Sequence, residues 1–240
     1  MSLRLHRFGL AGAARAPDTA PPPPPAGLEA WVLLQARAPS GYNFYLDGRQ
    51  AVNDTGGSDY RAHASADRFI DPAGGPVYWE VALNSAGPAE WNGYVGLVGG
   101  DAWVDLDASE NPIRAFSVGW RGIGQIWADG SNQSISVPTY GPDDVLIFAF
   151  DPAARDLWLG KNGTWVSSPL VDPPQFTLPA GVPAFAPSLQ GRDPGQGLTL
   201  RTLPSDFSWP VPSGARALAF VPDDLSVSRA ALIIEFDVSS

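Results

Sequence analysis

The chain contains no cysteine, a single lysine (Lys161), two histidines and one methionine in 240 residues. Without cysteine there are no disulfides, no thiol nucleophile and no cysteine-ligated metal. The compartment stays open, because such a chain suits a reducing cytosol and a particle working outside cells alike. Basic charge is also scarce: 15 Lys plus Arg stand against 25 Asp plus Glu, a net charge of −10. Nucleic-acid binding relies on clustered cations that neutralise phosphates, so this balance argues against it, and equally against anionic lipid surfaces. The acidity reads as a solubility feature. No apolar run approaches the ~20 residues of a membrane span. The opening MSLRLHRFGLAGAARAP has an apolar stretch too brief, and too soon broken by Arg15, for a secretory signal. Without a secretory route the Asn-X-Ser/Thr triplets at Asn53, Asn132 and Asn162 are coincidental.

What is abundant is punctuation. With 26 Gly and 25 Pro, turns are frequent and long helices are not expected, and 44% hydrophobic residues suffice for one sizeable core. Residues 1–13 form an arm with Leu3 and Leu5 on one face, and residues 14–29 a spacer. Within that spacer Pro21 to Pro25 impose a polyproline rod of ~3.1 Å per residue. From residue 30 onward short apolar runs alternate with turn residues: WVLLQA, YNFYLDG, VYWEVAL, GYVGLVGG, AFSVGW, GQIWADG, VLIFAF, DLWLG, PAFAPSLQ and GLTLRT. That spacing predicts an all-β, two-sheet antiparallel sandwich over residues 30–218. VLIFAF (145–150) is apolar on both faces and should be a central strand. Residues 219–240 form an extension. Its RAALIIEFDVSS places Leu232, Ile234, Phe236 and Val238 on one side and Glu235 and Asp237 on the other, the pattern of a half-buried strand.

The lysine has a defined place. In DLWLGKNGTW, Asn162-Gly163 stands between two apolar runs, the strongest local signal for a type I′ hairpin, whose two central residues need φ > 0. Leu157 and Leu159 then share one face and Trp158 takes the other. Lys161 becomes a solvated residue at the hairpin shoulder, since nothing nearby would desolvate it or activate it as a catalytic amine.

Five segments in order resemble a SPRY domain across about residues 42–218: PVYWEVAL, NGYVGLV, SVGWRGIGQIWADG, YGPDDVLIFAFDPAARDLWLGKNGTW and PAFAPSLQG. The ending DFSWPVPSGARALAF is similar to the F-x-x-P-x-P-x-G-F-x-A-L close of SPRY domains in bacteriophage and prophage tail-region proteins, with Ala215 where that pattern has Phe. The resemblance implies a two-sheet jelly-roll sandwich that binds proteins through loops at one end. It also implies no enzymatic activity and no cofactor. Partners would then be other virion subunits, with a host surface protein or glycan as a further candidate, in a bacteriophage-type tail, fibre or appendage assembled from the bacterial cytoplasm. A carbohydrate-binding module and an intracellular SPRY adapter are the alternatives.

Candidate chemistry is sparse. Asp143-Asp144 and Asp223-Asp224 follow prolines in turn contexts, and adjacent strand residues point to opposite faces, so neither pair converges on a metal. DGSNQS (129–134) departs from the calcium-loop pattern and reads as a hairpin turn. Glu80 stands alone, whereas glycoside hydrolysis needs two carboxylates. Neither His6 nor His63 has the companions of a triad. The best binding candidates are aromatics and arginines at strand ends and in polar loops, the residue types that anchor protein interfaces. These are Tyr60, Arg61, Trp91, Asn92, Trp120, Arg121 and Tyr140. The long loop at 84–92 and the insert at 103–112 are candidate specificity elements.

Overall fold

In the computed structural model, described for residues 30–31, 33–35, 42–45, 48–53, 62–84, 91, 93–99, 118–181, 184–191 and 193–219, strands alone carry the architecture. One sheet has seven strands in the order β1 (Leu33–Gln35), β4 (Ala62–Ala66), β14 (Phe185–Gly191), β6 (Tyr94–Gly99), β7 (Val118–Arg121), β8 (Gln125–Ala128) and β9 (Ser131–Ser136). The other runs β12 (Thr164–Trp165), β11 (Asp156–Lys161), β10 (Val145–Asp151), β5 (Val77–Leu83), β15 (Gly197–Arg201), β3 (Gln50–Asn53) and β2 (Tyr42–Tyr45). Two short strands complete its nine: β13 (Phe176–Thr177) joins β11, and β16 (Arg216–Ala217) joins β5 in parallel. Every other pairing is antiparallel, and no α-helix occurs among the described residues.

The core lies between the sheets and follows the period of two. From β10, Leu146, Phe148 and Phe150 point inward. They meet Trp79 and Val81 of β5 and, from the facing sheet, Val95, Leu97, Trp120, Ile126 and Phe185. Trp79 and Phe148 stack 5.1 Å apart within their sheet, and Phe150 meets Phe185 edge-on across the sandwich at 5.6 Å. As its double-faced sequence predicts, β10 is a central strand, flanked by β11 and β5 and buried from Leu146 to Phe150.

The outer face of the nine-stranded sheet is also covered, by the closing segment 203–218. Phe207 packs edge-on against Tyr78 at 4.8 Å. Glu80, fully buried, accepts hydrogen bonds from the backbone N–H groups of Ser208 (2.8 Å) and Trp209 (2.9 Å), from the Tyr78 hydroxyl (2.7 Å) and from Arg201 Nη1 (3.3 Å). Arg216 and Leu218 donate from their backbones to Pro76 and Tyr78, so β16 extends the sheet where β15 stops. The lone glutamate of VYWEVAL is thus the pin under the chain's closing strap, with its oxygens occupied by protein donors.

The hairpin turn expected at DGSNQS is present but shorter than that segment. Asp129 and Gly130, both at positive φ (48° and 70°), make the β8–β9 turn by themselves, and SNQSIS continues as strand. Ser, Asn and Gln look like loop in composition, but at a sheet edge one side of the strand faces water and tolerates them. The expected arm and spacer (1–29), residues 54–61 and 85–90, the segment 100–117 with its expected insert, and the strand expected at 230–238 lie outside the described residues.

Candidate functional site

The segment VGWRGIGQIWA folds as a hairpin whose turn is Gly122-Ile123-Gly124. Both glycines are required. A Cβ on Gly122 would stand 1.9 Å from the Trp91 carbonyl oxygen, and Gly124 has φ 81° with the Val137 carbonyl 2.6 Å from its would-be Cβ. The turn is held to the next loop by Tyr140 N–H donating to Gly122 O (2.9 Å) and Val137 N–H to Gly124 O (3.2 Å). Ile123, fixed between these glycines, cannot fold back onto the core and remains 37% exposed.

Beneath this turn lie three of the sequence-predicted binding residues, buried rather than displayed. Trp91, Trp120 and Tyr140 are 0%, 1% and 3% exposed. They form the outer end of a file of rings: Trp91 to Tyr140 (6.2 Å), Tyr140 to Trp120 (5.4 Å), Trp120 to Phe148 (6.4 Å), then the stacked Trp79. The Tyr140 hydroxyl lies 2.7 Å from the Trp120 carbonyl and 3.0 Å from that of Gly93, while Trp120 Nε1 donates to Pro138 O at 2.9 Å. The reason is parity. Trp120 shares its strand face with Val118, which points inward, so it must do the same, and Tyr140 closes the hole at the end of that row. These rings support a surface and do not themselves offer one.

Arg121, one position further, points to the opposite face. Its guanidinium sits 5.8 Å from both the Tyr94 and Trp127 ring centroids, a cation–π clamp that holds it half-buried. Tyr60, Arg61 and Asn92 lie outside the described residues.

A groove of about 560 Å³ is lined here by Gly122 and Ile123 of the turn, by Thr139, Tyr140 and Pro142 of the next loop, and by Lys161 with Asp144. Here the hairpin lysine differs from its expectation. Lys161 Nζ donates to Thr139 O (2.8 Å) and pairs with Asp144 Oδ2 (3.3 Å), and the two side chains are only 29% and 19% exposed. Asp144 gathers three donors: Lys161, the Gly141 N–H (2.9 Å) and Asn162 Nδ2 (2.7 Å). Asn162 also accepts from Val145 N–H at 2.8 Å. One turn, Asn162-Gly163, and one loop, 139–144, are therefore locked into a single wall. Asp143 bears φ 65° and serves as the turn residue its Pro-Asp-Asp context implies.

The sequence did not single out Ile123 as an anchor. Its signal is an apolar residue framed by glycines in a turn, and that motif reads as hairpin before it reads as surface. Among the described residues no cluster of three or more His, Asp or Glu side chains could hold a metal, and no helix is long and apolar enough to cross a membrane.

No family model matches the chain, and no curated protein matches it. Solved structures do. The SPRY domain of human HERC1 superposes with TM-score 0.51 at 14% identity, over 68% of this chain and 92% of that one. The TRIM65 PSpry domain gives 0.50 at 16% identity, over 72% of this chain and 89% of that one. The two-sheet antiparallel sandwich is thus the SPRY fold, as the ordered motifs imply.

Proposed function

We propose that this chain is a non-enzymatic binding and structural protein of a bacteriophage-type virion, a subunit of its tail, fibre or another appendage. It binds a protein partner, a neighbouring subunit or a host receptor, through the groove at the Gly122-Ile123-Gly124 turn. The observation that carries the binding site is Ile123. A large aliphatic side chain between two glycines stays partly exposed, in a groove it shares with Tyr140 and the hydrogen-bonded pair Lys161 and Asp144. Preformed relief of this kind lowers the ordering cost of binding. The closing motif similar to phage tail-region SPRY domains and the proline-spaced arm support the virion reading. A carbohydrate module would stack exposed rings on sugars, whereas the sequence-predicted rings Trp91, Trp120 and Tyr140 are covered.

Replacing Ile123 with Asp tests the groove. The variant should melt like the parent, because the side chain makes no core contact, yet its incorporation into particles should fall as for a lost interface anchor, at least ~2 kcal/mol or roughly thirtyfold in affinity. Equal incorporation moves the site elsewhere. A gene neighbourhood of regulatory rather than tail and baseplate genes would favour the adapter role, and tryptophan fluorescence changed by soluble glycans would favour the carbohydrate module.

A further inference from the structure

A second groove, of about 450 Å³, crosses the outer side of the β10–β11 hairpin. Its polar lining is Asp151, Asp156 and Asp172, its apolar lining includes Trp158, Leu170 and Val171, and neither Lys nor Arg borders it. Asp151 and Asp156 are direct cross-strand partners, an arrangement in which like charges destabilise the ladder. None of the three carboxylates makes an ion pair with a described residue. Each keeps one oxygen occupied locally: Asp151 by the Ala153 and Ala154 N–H groups, Asp156 by the Thr177 hydroxyl, Asp172 by the Ser168 N–H. The apolar lip is equally uncompensated. Leu170 is held at φ 61°, a costly conformation for a bulky side chain, and Val171 beside it is 83% exposed.

The segment that complements this groove is in the same chain. Residues 1–17 carry Arg4, Arg7 and Arg15 and no acidic residue before Asp18, in a chain otherwise rich in acid. Within them Leu3, Leu5, Phe8 and Leu10 alternate with the cations. We propose that the groove receives residues 1–10 of a neighbouring copy, with Arg4 and Arg7 between the aspartates and the aliphatic side chains against Leu170, Val171 and Trp158. The neighbouring copy is preferred to the chain's own sandwich because the sequence Pro21 to Pro25 favours a stiff polyproline spacer of about 15 Å ahead of the sandwich. A contact between different surfaces of identical copies either closes as a dimer by reciprocal exchange of arms or runs head to tail into rings or filaments. The inference rests on the reading of the chain as a subunit of an assembly, but uses a surface separate from the Ile123 groove.

The test is self-association of the full-length chain by analytical ultracentrifugation. The parent should associate with rising concentration, and more weakly as salt screens the pairs. Arg4→Glu/Arg7→Glu and Asp156→Lys/Val171→Lys should each weaken association on the order of tenfold or more. Val171→Lys alone, at a water-exposed position, should do so without altering the melting temperature. Mixing the two double variants should restore association, because the unaltered arm of one then meets the unaltered groove of the other and the reversed arm meets the reversed groove. A parent that stays monomeric, or variants that associate like it, overturns the proposal. So does a mixture that fails to recover. Ile123→Asp should associate like the parent, so loss of that groove and loss of this one give different results.

Discussion

Glu80, a lone carboxylate in the sequence, has a structural role in the fold. Four donors converge on it in a site without solvent, and removing a buried charge's partners, or the charge itself, leaves groups unpaired at a large cost. Glu80→Ala should therefore destabilise the sandwich by about 3–5 kcal/mol, measured by urea denaturation, with the strap 203–218 becoming sensitive to protease before the rest. Tyr78 gives the companion prediction. Burial, and secondly the hydroxyl's hydrogen bond to Glu80, push its phenol far above the usual tyrosine value of 10.0. The folded state thus holds this proton more tightly than the unfolded chain. The resulting stability is complete below about pH 10, where both states are protonated, and is lost as pH rises beyond it, where only the unfolded chain releases the proton. Denaturation midpoints followed from pH 8 upward should show this decline, and Tyr78→Phe should remove Tyr78's share of it.

Among the elements, the β11–β12 hairpin carries the clearest local determinism. Asn162 and Gly163 adopt φ 51° and 78°, the two-residue turn that Asn-Gly specifies. The Trp209 ring lies against Gly163, 2.6 Å from where a Cβ would stand. Gly163→Ala should cost about 1–2 kcal/mol from the left-handed backbone alone, and should also shift tryptophan fluorescence as Trp209 is displaced. This hairpin, the doubly covered β10 and the overall sandwich were legible in the sequence because each depends on residues adjacent in the chain. The binding surface was not. Trp91, Trp120 and Tyr140 look like loop-end anchors, and only the approach of three separate segments, around 91, 120 and 140, shows that they fill one another's space. Their replacement by Ala would therefore report on stability, by about 3–5 kcal/mol for a ring of this size, before it reported on binding. Lys161 was likewise placed at the correct shoulder, but its engagement with Thr139 and Asp144 depends on a loop some twenty positions away.

At the scale of the molecule, the described strands of the sandwich lie within residues 33–218, and its closing β16 pairs with β5. Deleting residues 1–25 should leave a soluble domain with an unchanged melting temperature that no longer enters particles. A truncated chain that assembles normally would remove the arm from the attachment machinery, and one that fails to fold would assign it to the core.

The strap over Glu80 has a consequence in time. The contact between Glu80 and Ser208 spans 128 positions of chain, and β5 at the centre of its sheet also waits for β15 and β16 before its second edge is filled. On the ribosome, most of the polypeptide must emerge before the charge is capped or that edge is closed. Sheets with such long-range pairing fold in milliseconds to seconds rather than microseconds. During synthesis the nascent chain therefore exposes an open strand edge at the centre of this sheet, and the interval ends only once β15, the strap 203–218 and its β16 have been made.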